Sequence, residues 1–141
     1  QHGKASEYAL CASQWHKSLS YKDKYFGGGM KYAGDFNKMF GYEPPYQAAE
    51  SSAALLVFKD AFERANSFDT KKVRDALAAT DMQTFYGNIK FAEGGQNVSK
   101  PMVLFQVSCN DDGSKCENKV VAPTKWASAE LVHPIPSWSK R

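Results

Sequence analysis

A chain of 141 residues, 43% hydrophobic and 23% charged, has an ordinary globular composition and enough length for one domain with one core. Its 18 basic and 15 acidic residues are scattered and leave a net charge of +3, with no Lys/Arg run of the kind a nucleic-acid surface needs. The longest apolar stretch, residues 53–58, falls far short of the roughly 20 residues that cross a bilayer, so no membrane span is expected.

The opening QHGKASEYALCAS lacks both the long apolar core and the small-residue cleavage site of a signal peptide. Its abrupt start, without Met, is what a processed or truncated product would show. Residues 7–12 form an apolar run too short for a helix and read as a buried strand, with Cys11 as a small core residue. A loop with Trp15, Tyr21, Tyr25 and Phe26 follows, ending at Gly27, Gly28 and Gly29. The glycines break structure but form no phosphate loop, because no Lys-Ser or Lys-Thr follows at the required offset.

From Met30 to Phe40 the apolar residues Met30, Ala33, Phe36 and Phe40 fit one helical face, and Gly41 is placed to end the helix. A longer helix starts near Tyr46, after Pro44 and Pro45, with Ser51, Ala54, Leu55, Phe58, Ala61, Phe62 and Ala65 on one face. Its first half adds Ala49, Ala53, Leu56 and Val57 on the other side and carries only Glu50 as a charge, so that half is expected to be buried all round. Asp69 is a credible N-cap for a third helix to about Ala79, burying Val73, Ala76 and Leu77.

Residues 85–91 and 102–107 read as strands, joined through the turn-rich Glu93, Gly94, Gly95, Gln96 and Asn97. Cys109 and Cys116 flank Asn-Asp-Asp-Gly-Ser-Lys, a turn sequence between the strand-like residues 102–107 and 119–122. They read as a hairpin closed by a disulfide, worth roughly 2 to 3 kcal/mol in the chain-entropy model. The alternatives are two free thiols or a metal pair without further ligands. Pro123, Pro134 and Pro136 mark an irregular tail, anchored by Trp126 and Trp138 if at all.

No catalytic constellation emerges, and no cofactor is expected. His2, His16 and His133 lie far apart without metal-ligand spacing, and there is no Gly-x-Ser-x-Gly turn. Asn97-Val98-Ser99 matches a glycosylation sequon, a triplet common by chance. Binding is better supported, since a helix N-terminus offers free N–H groups and partial positive charge to a carboxylate or carbonyl. Tyr46 and Gln47 sit at such a terminus; their competing roles are packing on Pro44 and Pro45 and plain capping.

The stretch YEPPYQAAESSAALLVFKDAFERANSFDTKKVRDALAATDMQTFYGNIKF, residues 42–91, resembles the late part of type I periplasmic solute-binding proteins of the branched-chain amino acid and amide branch. QWHKS at 14–18, KPMVLFQV at 100–107 and VVAPTKWAS at 120–128 follow in the family's order, from about Glu7 to Trp138. The resemblance implies an α/β fold, two three-layer α/β/α lobes joined by crossing strands, of which this chain is a fragment, the last third. It implies a second-lobe strand in residues 1–13 leading to a hinge crossing, helices of the first lobe in 14–97, returning second-lobe strands with a hairpin in 98–122, and a tail in 123–141. It places Gln47, or Tyr46 if the alignment shifts by one, at the solute cleft. Trp15 falls at the cleft rim, where a large amphipathic ring suits, though such a Trp also serves simply for packing. Glu50, in a turn expected to be buried, ranks after them as a reader of a ligand ammonium; near a helix N-terminus it is also simply stabilising.

The implied role is a periplasmic, bacterial substrate-binding component of an ATP-driven importer, taking an amino acid, amide or related small polar carboxylate to a membrane permease. A ligand-sensing module of the same fold, controlling a regulator or receptor, is the alternative. An exported location favours the disulfide. Self-association, or association with the missing N-terminal part, is expected of a fragment with so apolar a helix.

Overall fold

The computed structural model describes residues 3–140, apart from the side chain of Lys140. His2 lies outside the described residues. The chain divides into two compact units, one from Gln1–Ser18 with Met102–Arg141, the other Leu19–Pro101.

The first unit is built on an antiparallel three-stranded sheet in the order β1-β6-β7, with β1 Leu10–Ser13, β6 Val103–Cys109 and β7 Cys116–Ala122. A short 3-10 turn, Gly3–Ser6, precedes β1. Val103 and Val120 are buried. β1 is an edge strand, and the expectation of a buried strand over residues 7–12 is corrected: Leu10, Cys11 and Ala12 are exposed and only Ser13 is buried. Cys11 is an exposed thiol, not a core residue.

β6 and β7 form the hairpin expected from its turn residues, and Cys109 faces Cys116 in register, bonded as a disulfide with Cα atoms 4.0 Å apart. Asp112 Oδ1 accepts from the Ser114 N–H and Asn110 Oδ1 from that of Lys115, fixing the turn locally. Buried Gln106 ties the tail to the sheet: its Nε2 donates to the carbonyls of Tyr8 and Val132, and its Oε1 accepts from the Val132 N–H. Trp138 is 70% exposed.

The second unit begins with a two-residue ladder, β2 Lys22–Asp23 with β3 Gly27–Gly28, leading into α1 Gly29–Phe40. Gly41 ends α1 in the left-handed region at φ 78°, its N–H donating to the Asn37 carbonyl as a C′ glycine does. The buried face of α1 is Gly29, Tyr32 and Ala33, whereas Met30 and Phe40 are exposed, so the expected stripe is rotated. Tyr32 accounts for the difference. Its ring stacks on Phe85 at 4.2 Å between centroids, Phe26 meets both edge-on, and its hydroxyl lies 3.0 Å from Ser52 Oγ.

α2 Tyr46–Ala65 and α3 Thr70–Ala78 pack on each other. Asp69 caps α3 as expected, its Oδ1 accepting from the Lys72 N–H. Of α3, Val73 is buried, and Ala76 and Leu77 are half-buried. The N-terminal half of α2 is not buried all round: Ala49, Ala53, Leu56 and Val57 are inside, while Glu50 and Leu55 are exposed. Arg64 fixes the other end, holding Asp60 through Nε and the buried Thr80 hydroxyl through Nη2.

The strand expected over 85–91 is present as β5 Gly87–Lys90, and its first two residues, Phe85 and Tyr86, instead form the turn of a hairpin with β4 Asp81–Thr84. Thr84 closes the turn, its Oγ1 donating to the Gly87 carbonyl and accepting from the Tyr86 and Gly87 N–H groups. Asn97 braces β5, accepting from the Lys90 N–H and donating to the Asn88 carbonyl.

Candidate functional site

The beginning of α2 has no side-chain cap, because Pro45 occupies the N-cap in extended conformation. The N–H groups of Ala48 and Ala49 turn back to the Pro45 carbonyl. Tyr46 and Gln47, on the turn before them, are exposed, and Glu50 follows one turn later, also exposed. Pro45 pre-sets φ at −67° and fixes where the helix starts. The sequence-derived trio thus sits on the first turns of one helix, in reach of solvent.

Two residues that the sequence did not single out, Tyr86 and Lys100, join this end of the helix. The Lys100 ammonium lies 4.1 Å from the centre of the Tyr86 ring. Burial pulls Lys100 down to about 8, with the Glu50 charge opposing. Burial also pushes the Tyr86 hydroxyl up, and the charges of Glu50 and Tyr46 add to that shift. The surroundings of Tyr86 and Lys100 are thus set by α2, the hairpin turn and the segment after β5 together. Reading 85–91 as a plain strand hid Tyr86; Lys100 gave no signal beyond a basic residue ahead of a proline.

Beside this cluster lies a cavity of about 490 Å³ with walls from α2, α3 and β5. Ala53, Val57, Leu77 and Ile89 give it an apolar lining, and Glu50 and Tyr86 stand on its wall. Its volume falls in the range of small-ligand sites, but its chemistry is that of an uncovered packing surface.

Trp15 belongs to the first unit. It is only 5% exposed, two residues beyond β1, and the Ser13 hydroxyl donates to its carbonyl at 2.8 Å. Of the other histidines, His16 Nδ1 is 2.8 Å from Ser18 Oγ and His133 is exposed. Among the described residues no group of His, Cys, Asp and Glu is placed to hold a metal ion, and no helix is long and apolar enough to cross a membrane.

The chain belongs to the periplasmic binding protein family, whose model matches residues 1–115. It is similar to the crystal structure of a leucine-binding protein, LivK, from Thermotoga maritima, at 25% identity and a TM-score of 0.65. That match covers 87% of this chain and 33% of LivK, so the chain spans about a third of the length of that protein.

Proposed function

We propose that this chain is the C-terminal third of the substrate-binding component of an ABC importer, acting outside the cytoplasm and passing its solute to a membrane permease. The observation that carries the reading is the match to LivK, which takes in 87% of this chain but only 33% of that protein. A cleft between two lobes that closes by hinge motion is the working principle. In this reading residues 1–13 lead from the second lobe to a hinge crossing, 14–97 are helices of the first lobe, and 98–122 return to the second. The solute is a branched-chain amino acid, an amide or a related small polar carboxylate, and leucine is the first to try.

Gln47 and Tyr46 present the open end of α2 to the solute, whose carboxylate or carbonyl accepts from the uncapped N–H groups. Trp15 lines the rim, and Glu50 pairs with the ammonium of an amino acid. Most of the remaining contacts come from sequence outside this chain, so the 141 residues alone bind solute weakly or not at all.

Calorimetric titration of the protein encoded by the full reading frame tests the proposal, with Gln47→Ala and Tyr46→Phe as variants. Loss of one hydrogen bond to a buried ligand group should cost about 1 to 3 kcal/mol of binding. Melting temperature should change little, since both side chains are exposed. Trp15→Ala is a poorer probe, because truncating so buried a ring costs stability as well; Trp15→Phe is preferable. No binding of any amino acid or amide would remove the transport reading, and unchanged affinity in all three variants would return these residues to packing and helix-end roles.

A further inference from the structure

The chain leaves the second unit through residues 97–101, the boundary falling after Pro101. This segment is no loose tether. The Val98 N–H donates to the Lys90 carbonyl at 2.9 Å. Asn97 Oδ1 accepts from the N–H groups of Lys90 and Ser99, and its Nδ2 donates to the Asn88 carbonyl. The segment thus lies as a strap that runs back along β5 toward the hairpin turn, and Lys100 fastens its end.

The Lys100 stem crosses Gly87 so closely that a Cβ there would stand 2.4 Å from Lys100 Cδ and 2.6 Å from Cε. Its ammonium lies 4.1 Å from the centre of the Tyr86 ring, buried and, among the described residues, without a hydrogen-bond acceptor. A ring face makes up only part of the hydration that a buried ammonium loses. What holds the strap is therefore the stem, whose methylenes are covered by a glycine and an aromatic ring. On the far side of the junction β6 begins at the buried Val103, paired with Ser13. Between the two fastened ends lie Pro101 and Met102, neither of them in a strand. Proline fixes φ, so the freedom of this crossing is concentrated in the ψ of Pro101 and the dihedrals of Met102.

We propose that Lys100 is a positioning residue for solute binding: by pinning the strap to Gly87 and Tyr86 it confines the hinge of this crossing to Pro101 and Met102. A confined hinge has less disorder to lose when the solute is enclosed, and so favours binding without any contact to the solute. For the solute, the inference rests on the importer reading given above.

Amide hydrogen exchange in the protein from the full reading frame tests it, with Lys100→Ala, which removes the stem, and Lys100→Met, which keeps an unbranched apolar stem without the charge. The Val98 and Ser99 N–H groups should exchange slowly in the parent and on the order of tenfold faster in Lys100→Ala, while the amides of α2 and α3 keep their rates. Lys100→Met should exchange at the parent's rate or more slowly. In calorimetric titration, leucine affinity should weaken roughly 2- to 30-fold in Lys100→Ala, the range for residues coupled to a site they do not touch. It should hold in Lys100→Met. A merely structural role would lower the melting temperature and leave the affinity where it was.

Unchanged exchange at Val98 and Ser99 in Lys100→Ala overturns the proposal, and so does faster exchange spread over α2 and α3. A loosened strap with unchanged affinity does the same, as does a Lys100→Met variant that behaves like Lys100→Ala. A parent protein that binds neither leucine nor any other amino acid or amide removes the importer reading instead. The exchange comparison then still decides whether Lys100 pins the strap.

Discussion

One carboxylate, Asp23, organises the entry to the second unit. Its Oδ1 accepts from the N–H groups of Tyr25 and Phe26, and its Oδ2 from that of Phe85 at 2.7 Å. The first two bonds are a local turn device and are readable from an Asp ahead of an aromatic pair. The third joins residues 62 apart, and nothing in the local sequence announces it. Asp23→Ala should therefore lower stability by about 2 to 3 kcal/mol, the scale for losing hydrogen bonds to a charged group. Asp23→Asn should recover part of it in thermal denaturation. At Lys100 the sign of the pH dependence follows from its depressed value of about 8 against the ordinary 10.5. Below pH 8 the folded state carries the full cost of the buried charge. Between about 8 and 10.5 the unfolded chain holds more proton than the folded one, so stability rises with pH across that window. Melting of the isolated chain at pH 7 to 10 should show this rise, and Lys100→Met should flatten it. Cysteine chemistry was legible for the opposite reason to Asp23: Cys109, Cys116 and their turn lie within eight consecutive residues. Alkylation of the non-reduced chain should modify one thiol, Cys11; three modified thiols in protein kept under oxidising conditions would contradict the bridge.

At the level of elements, α2 shows how far hydrophobic periodicity reaches. The helix, its start after the prolines and the cap of α3 were all readable, because each depends on residues within one or two turns. The face turned inward was not. Leu55, Phe58 and Phe62 outrank alanine on any hydrophobic count, yet they are 69%, 47% and 37% exposed, while Ala49, Ala53 and Ala61 are buried. Small residues let neighbouring elements approach α2 closely, and the larger ones stay on the side that the chain leaves open. A helix with two apolar faces is a middle layer, and only the tertiary structure tells which layer is present. Ala61→Leu should accordingly cost about 1 to 3 kcal/mol by overpacking, since Ala61 is fully buried away from the cavity. Leu55→Ala should stay within roughly 0.5 kcal/mol in the isolated chain; denaturant unfolding curves would rank the two. The β4–β5 hairpin escaped the sequence because Phe85 and Tyr86 look like strand residues, and the turn depends on Thr84 and on the φ of Gly87. The candidate site divides likewise. Tyr46, Gln47 and Glu50 followed from a helix start, whereas Tyr86 and Lys100 required knowing that the hairpin turn and the segment after β5 meet α2.

For the molecule as a whole, the exposed apolar surface of the second unit sets its behaviour in solution. Leu55, Phe58 and Phe62 lie along α2, and Phe68, beyond its end, is 88% exposed with its ring 5.5 Å from that of Phe62. Leaving two or three such side chains in water forgoes roughly 1.5 to 3 kcal/mol each if fully exposed, and somewhat less here because they are partly covered. That is a large share of the 5 to 15 kcal/mol or so by which native domains are stable. Burial against another surface recovers it, and for the isolated 141-residue chain at micromolar concentration the surface always at hand is a second copy. Light scattering behind size-exclusion chromatography should thus report a dimer or larger species. The association should weaken on dilution and on replacing Leu55 and Phe58 together by Glu, since two carboxylates on this face oppose its burial. A monodisperse species of 15.7 kDa with a cooperative melt would mean that the α2 face tolerates water unaided.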